Sequence, residues 1–325
     1  MKTDAIQIDR HGAPDVIRLT RIDVPDPGPG QIRVRQHAVG VNFIDVYHRN
    51  GLYPIPLPHG LGVEGAGEVE AVGPDVDLFQ PGDRVAYPMG PVGAYCGLYL
   101  LKAESAIRLP PEIGYEQAAA MMLKGLTVQY LFRQTYRLQG TETILFHAAA
   151  GGVGLIACQW ARALGVKLIG TVSSEAKAQL ARENGAWATV DYTKEDVVAR
   201  VLELTGGAKV PVVYDGVGKD TWERSLDCLQ PRGLMVSFGN ASGPLSSVNL
   251  GVLSQKGSLF VTRPTLATYI TPRSRFEEGA EELFQMVRSG KVRIEVAHRY
   301  KLSEAARAHE DLEARRTTGS SVLIP

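Results

Sequence analysis

Apolar and polar residues alternate in short runs through the first part of the chain, and each run ends in a cluster of turn formers. Ile32-Arg33-Val34-Arg35 follows Pro27-Gly28-Pro29-Gly30, and Gly67-Glu68-Val69-Glu70-Ala71-Val72 precedes Gly73-Pro74. A two-residue period places the apolar side chains on one face, the pattern of a half-buried strand. Residues 5 to about 107 therefore predict a compact, mostly β barrel. Pro81-Gly82-Asp83-Arg84-Val85 extends it, and Pro110-Pro111 closes it before the helical Tyr115-Glu116-Gln117-Ala118-Ala119-Ala120-Met121. A domain boundary is placed near residue 123.

The period then changes. Between about 124 and 265, apolar strands at 142–146, 167–172, 189–190, 212–214, 234–238 and 259–261 alternate with helix-length segments. This predicts a doubly wound parallel sheet of about six strands, and an α/β fold class for the whole chain. Two further helices are expected near 277–289 and 304–314, then a strand at 321–324. That tail is read as rejoining the first domain, so the expected organisation is 1–123 with 266–325, and 124–265 between them.

One junction in the second region carries chemistry. Ile144-Leu145-Phe146 runs into His147-Ala148-Ala149-Ala150-Gly151-Gly152-Val153-Gly154, and Leu155-Ile156-Ala157-Cys158-Gln159-Trp160-Ala161 continues as a helix. Gly151 and Gly154 occupy the second and third positions of G-x-G-x-x-G, with Ala149 in the first. Glycines there let backbone approach a dinucleotide pyrophosphate while helix-end N–H groups face it. The next apolar stretch, 166–172, arrives at the spacing of a βαβ unit. Its tip reads Ser173-Ser174, where NAD-selective sites place an Asp or Glu roughly 20 residues beyond the glycines. Hydroxyls donate to a ribose 2′-phosphate that a carboxylate would repel, and Lys177 adds positive charge one helical turn on. NADPH is therefore favoured over NADH. Glu175 points the other way, unless it serves the helix N-terminus.

Composition narrows the classes. A chain of 325 residues that is 44% apolar supplies two packed cores, and 35 Lys+Arg against 35 Asp+Glu removes the broad field expected of a nucleic-acid or membrane-surface protein. Cys96, Cys158 and Cys228 show no C-x-x-C spacing, and the apolar neighbours of Cys158 and Cys228 read as core. With no signal-peptide pattern and no apolar run near the ~20 residues of a membrane span, a cytoplasmic protein is expected. No internal repeat or low-complexity tract supports a solenoid or a partner-binding arm.

Several motifs in order resemble the medium-chain dehydrogenase/reductase superfamily, specifically its zinc-free quinone oxidoreductase branch (zeta-crystallin-like), and within it the bacterial NADPH-dependent enzymes. They are Gly40-Val41-Asn42-Phe43-Ile44-Asp45 with Gly51-Leu52-Tyr53-Pro54, then Leu123-Lys124-Gly125-Leu126-Thr127. The glycine turn, Val213-Tyr214-Asp215-Gly216-Val217-Gly218 and Phe260-Val261-Thr262-Arg263-Pro264 complete the series. The resemblance implies a GroES-like catalytic domain, a Rossmann domain for NADPH, a quinone substrate and a homodimer. Zinc relatives carry a Cys near 42–45, a Gly-His-Glu where this chain has Gly62-Val63-Glu64, and a four-Cys lobe. Those cysteine sites are missing, so a metal-free enzyme is expected, with Glu64 a packing or polar-network remnant and His59 a surface-loop residue.

A quinone is already electrophilic, so reduction needs a well-placed hydride donor rather than a metal. By resemblance, Asn42, Asp45 and Tyr47 lie along the cleft beside the nicotinamide, and Tyr53 contacts the quinone; Asn42, Tyr47 and Tyr53 are the expected catalytic residues. The same likeness assigns Thr127, Tyr130, Gly152, Val153, Ser173, Ser174, Lys177, Tyr192 and Val217 to the cofactor. It adds Phe238, Gly239, Asn240, Thr262 and Arg263 after strand ends, and Arg315 from the tail. Many relatives place a Lys after the Gly of the last loop; here Gly319 is followed by Ser320, which weakens a pyrophosphate contact there. Two alternatives stay open: an NADPH-dependent reductase of activated alkenes such as enals or enones, and a non-catalytic NADPH-binding structural or RNA-binding protein.

Overall fold

The computed structural model describes all 325 residues. They group into two units: Met1–Leu126 with Thr271–Phe284 and Ile294–Pro325, and Thr127–Ile270 with Gln285–Arg293.

In the first unit β1 (Lys2–Ile8), β2 (Arg18–Asp23) and β3 (Gln31–Val41) precede α1 (Phe43–Asn50). Then come β4 (His59–Gly60), β5 (Gly65–Val72), β6 (Arg84–Tyr87), β7 (Leu98–Lys102), β8 (Ile107–Arg108) and α2 (Tyr115–Tyr130). β3 is the central strand, pairing antiparallel with β5 and β7. Its Ile32 and Val34 are fully buried against Val69, Val85, Tyr87 and Leu101. Each such side chain contributes roughly 1.5–3 kcal/mol on burial, so period two in the sequence becomes one covered face.

Helix α1 lies in a region whose sequence reads as mostly β. It starts because the Asn42 N–H donates to Asp45 Oδ2 at 2.8 Å, and it stops at Gly51, whose φ of 84° breaks the helix. Buried Arg49 at its far end binds both oxygens of Glu313, each at 2.8 Å.

The second unit contains β9 (Thr143–Phe146), α3 (Gly152–Leu164), β10 (Lys167–Val172), α4 (Glu175–Glu183), β11 (Ala188–Asp191) and α5 (Val197–Leu204). It continues with β12 (Val210–Asp215), α6 (Trp222–Asp227), β13 (Leu229–Ser237), α7 (Gly251–Gln255), β14 (Phe260–Thr262) and α8 (Leu266–Tyr269). The six strands run parallel in the order β11-β10-β9-β12-β13-β14. The winding direction reverses between β9 and β12, and ligands bind beyond the strand ends at such a switch point.

Next come α9 (Arg273–Arg288), β15 (Val296–Lys301), α10 (Ala305–Glu313) and β16 (Ser320–Ile324). β16 returns the tail to the first unit by pairing antiparallel with β3.

The two units divide between Leu126 and Thr127, inside helix α2, where a Cβ on Gly125 would lie 2.6 Å from Leu283 Cδ1, so its absence admits that side chain. Two expectations need adjustment, the placing of residues 266–270 and 285–293 and the start of α9. Residues 266–270 and 285–293, assigned by sequence to the first domain, group with the second unit. Tyr269 stacks on Tyr130 at 4.5 Å, and the Gln159 side chain accepts from the Arg293 N–H at 2.7 Å and donates to the Arg293 carbonyl at 3.0 Å. α9 begins at Arg273 rather than near 277, because the Arg273 guanidinium pairs with Glu277 at 2.7 Å and donates to the Glu104 carbonyl at 2.7 Å.

The turn from β9 into α3 is tightly packed at one glycine and open at the other. A Cβ on Gly154 would collide with the Ala148 carbonyl oxygen and lie 2.6 Å from the Ala149 carbonyl carbon. A Cβ on Gly151 would meet only the Ala148 oxygen, at 3.3 Å. Gly154→Ala should therefore destabilise the protein by about 1–3 kcal/mol while Gly151→Ala leaves stability nearly unchanged, as read by denaturant unfolding. Equal losses from the two variants would contradict this account.

Candidate functional site

β9 ends at the switch point, and the chain turns through Ala148, a non-glycine residue at φ 56°, before Gly151 takes the N-cap of α3. The Ala148 N–H donates to Thr171 Oγ1 at 3.3 Å, and the Gly151 N–H donates to the Ala148 carbonyl at 3.0 Å. The left-handed position is thus Ala148, one residue before the alanine aligned with the first glycine of the motif. The N–H groups of Gly152, Val153 and Gly154 open the helix and have no acceptor within it. Gly151, Gly152 and Val153 are half-buried. Together with the helix dipole these N–H groups make the kind of helix start that can hold an anion, and Gly151 puts no side chain over it.

Other expected cofactor residues cluster on the same edge of the sheet. Ser173 and Ser174 follow β10, and the Ser174 hydroxyl oxygen accepts the Lys177 N–H at 3.3 Å as the N-cap of α4. Its own O–H stays available to donate. The doubt raised by Glu175 resolves locally, since its carboxylate pairs with Arg182 at 2.6 Å. Tyr192 follows β11 and packs at the margin of the sheet core. Val217 follows β12; Phe238, Gly239 and Asn240 follow β13, and all three are half-buried. Thr262 ends β14, and exposed Arg263 donates to the Ser237 carbonyl at 3.0 Å.

Thr127 and Tyr130 lie in α2, 6% and 3% exposed, with the Tyr130 ring stacked on Tyr269. Arg315 is exposed just after α10, at φ 58°.

The first unit gathers a second set. Asn42 caps α1, and its Nδ2 donates to Glu64 Oε2 at 2.8 Å. Tyr47 and Tyr53 meet edge to face at 5.2 Å, with Tyr53 half-buried. Asp45 differs from expectation. It is wholly buried, and Oδ2 is committed to the Asn42 N–H and to the Tyr95 hydroxyl at 2.9 Å, so it orients Asn42 rather than facing a ligand. Burial, partly offset by those two bonds, raises its carboxyl to about 7. His59 also differs: it is half-buried in β4, which pairs with β1, rather than in a surface loop.

Glu64 is the centre of this set. Fully buried, it accepts the Leu123 N–H at 2.6 Å, the Asn42 amide and the Lys124 ammonium at 3.4 Å. Burial raises its pKa, and the Lys124 charge opposes that rise. Both Glu64 oxygens are occupied and a cation already stands beside them, so a divalent metal there would meet like charge and no free donor. No group of three or more His, Cys, Asp or Glu side chains is disposed to hold a metal ion. The residues present do not suit zinc.

Two features escaped the sequence reading. The Glu64–Lys124 pair joins residues 60 positions apart, and buried His147 bonds to both Thr171 and Ser225 beneath the glycine turn. The available signal was polar residues interrupting apolar strands, which identifies burial but not partners.

Residues 28–136 match the alcohol dehydrogenase GroES-like domain, and residues 152–285 match the family described as zinc-binding dehydrogenase. The chain is 63% identical over 321 residues to a quinone oxidoreductase of Pseudomonas aeruginosa, covering 98% of this chain and 99% of that protein. It is 46% identical to a 2-haloacrylate reductase of a Burkholderia species, covering 99% of this chain and 98% of the other. The crystal structure of Escherichia coli quinone oxidoreductase complexed with NADPH superposes with a TM-score of 0.98 at 55% identity, covering 99% of this chain and 100% of that one. With a GroES-like unit, a six-stranded Rossmann sheet and this identity over nearly its full length, the chain belongs to the quinone oxidoreductase family of the medium-chain dehydrogenase/reductase superfamily.

Proposed function

We infer that this protein is an NADPH-dependent quinone oxidoreductase that works without a metal. The observation that carries the reading is the glycine cradle at the switch point of a sheet superposing on an NADPH-bound relative, in a chain 63% identical to a quinone oxidoreductase. NADPH would rest on Gly151, Gly152 and Val153 and supply a hydride. Ser173, Ser174 and Lys177 are proposed for the 2′-phosphate, since the tip of β10 offers hydroxyls and an ammonium where a carboxylate would repel it.

Asn42, Tyr47 and Tyr53 are proposed to hold the quinone. Glu64 keeps the Asn42 amide in one orientation, and the paired tyrosine rings offer an aromatic surface for a flat ring. Because the acceptor is electrophilic by itself, the contribution asked of these residues is alignment of the reacting atoms.

A second reading, reduction of activated alkenes, has the 46% identical 2-haloacrylate reductase in its favour. It demands a proton delivered to carbon, whereas a quinone oxygen takes its proton from water or a tyrosine hydroxyl.

We further propose a cytoplasmic homodimer. All three cysteines are free and buried, as suits a reducing compartment, and no helix is long and apolar enough to cross a membrane. β14 is the edge strand of its sheet and exposes Phe260 (60%) and Val261 (40%). An open apolar edge of this kind is covered most simply by the same strand of a second copy.

Three outcomes are expected. Purified protein treated with excess chelator oxidises NADPH with 9,10-phenanthrenequinone or 1,4-benzoquinone at a higher kcat/KM than with 2-alkenals; the reverse order moves the assignment to alkene reduction, and a loss restored by zinc overturns metal-free catalysis. Ser173→Asp with Lys177→Glu lowers the NADPH/NADH preference by about tenfold or more, the equivalent of one lost charge-assisted contact; an unchanged ratio removes these residues from the 2′-phosphate. Val261→Lys shifts the protein from dimer to monomer in light scattering at micromolar concentration, and a wild type already monomeric refutes the dimer.

A further inference from the structure

His147 begins the glycine turn, yet its ring points into the protein. Nδ1 lies 3.0 Å from Thr171 Oγ1 and Nε2 lies 2.9 Å from Ser225 Oγ. The Ser225 hydroxyl donates to Asp215 Oδ2 at 2.9 Å, so Ser225 can only accept from the imidazole, which places the ring hydrogen on Nε2. Burial lowers the His147 pKa, so the ring is neutral and Nδ1 accepts from the Thr171 hydroxyl. Thr171 Oγ1 in turn accepts the N–H of Ala148, the left-handed residue of the turn.

The bonds therefore run in one sense, from the Ala148 N–H through Thr171, His147 and Ser225 to the Asp215 carboxylate. Asp215 also accepts the Val217 N–H at 2.7 Å, the Gly218 N–H at 3.0 Å and the Thr221 hydroxyl at 2.7 Å. The Ser242 N–H donates to the Val217 carbonyl at 2.8 Å, which ties in the loop after β13. Each ring nitrogen has one partner, and no member can reverse its role without leaving a buried group unpaired.

We propose that His147, with Thr171, Ser225 and Asp215, is a positioning device that holds the glycine turn and the 216–218 loop in one mutual arrangement, and that NADPH affinity depends on it. The second half of this statement rests on the functional reading above; the first does not. His147 touches neither cofactor nor substrate in this scheme. It acts through the backbone of Ala148 on one side and of Val217 and Gly218 on the other, both on the ligand-binding edge of the sheet.

The test uses Thr171→Val and Ser225→Ala, which cut the chain on opposite sides of the ring, with Thr171→Ser as the conservative control. In the free protein, Thr171→Val speeds amide exchange at Val217 and Gly218, and Ser225→Ala speeds it at Ala148; acceleration confined to the cut side overturns the coupling. In the presence of NADPH, each cut raises Kd and KM by about tenfold while kcat at saturation stays within about twofold, Thr171→Ser stays near wild type, and the double variant is no worse than either single by more than about threefold. Unchanged Kd in both folded variants, or a Thr171→Ser defect equal to that of Thr171→Val, overturns the dependence of affinity on the network. A wild type that binds no NADPH refutes the functional reading and this dependence together, while the exchange experiment still decides the coupling.

Discussion

A helix that starts at the end of a buried strand leaves its first N–H groups without internal acceptors, and in this protein that deficit faces outward at the switch point of a parallel sheet. The need for an outside acceptor there organises the second unit. Gly154 exists because the helix must pass close to the Ala148 carbonyl, and Gly151 leaves open the side where an anion would lie. The strand order β11-β10-β9-β12-β13-β14 then brings the ends of β10, β12 and β13 to the same edge. Sheet topology thus concentrates donors and loops where one helix start requires a partner.

The first unit solves a different problem, that of a buried carboxylate. Glu64 has lost all contact with solvent, and an uncompensated charge at that depth would be strongly destabilising. Lys124, the Asn42 amide and the Leu123 N–H answer it together. This arrangement need not add net stability, because desolvating both ions offsets much of their attraction. Its consequence is orientation: Asn42 is held by Glu64 through its side chain and by Asp45 through its backbone, leaving little freedom at the start of α1. Arg49 and Glu313 make a comparable tie between α1 and α10.

Much of this was open to a reader of the sequence. The six strands of the second unit and the turn after Phe146 follow from local period and from turn chemistry. Where the reading stopped short, the deciding contact was distant. Helix α1 was absorbed into the β region because its eight residues are too short for a clear period, and its capping bond is visible only once Asn42 and Asp45 adopt helical spacing. Residues 266–270 and 285–293 were read with the first domain because local period shows a helix but not which sheet it lies against. Asp45 looked like a ligand-facing acid because its neighbours match a site motif, yet burial turns it inward.

The sequence by itself determined the alternating strands and helices of the second unit, the dinucleotide turn and the absence of an acidic residue at the tip of β10, because these depend on residues within a few positions of one another. The tertiary structure alone decided which polar groups meet. Glu64 finds Lys124 across 60 positions, His147 finds Ser225 across 78, and Arg49 finds Glu313 across 264. Such pairings are set by how strands are ordered and helices laid against them, and the same buried polar residue reads identically in the sequence whether its partner is a water, a ligand or a side chain far along the chain.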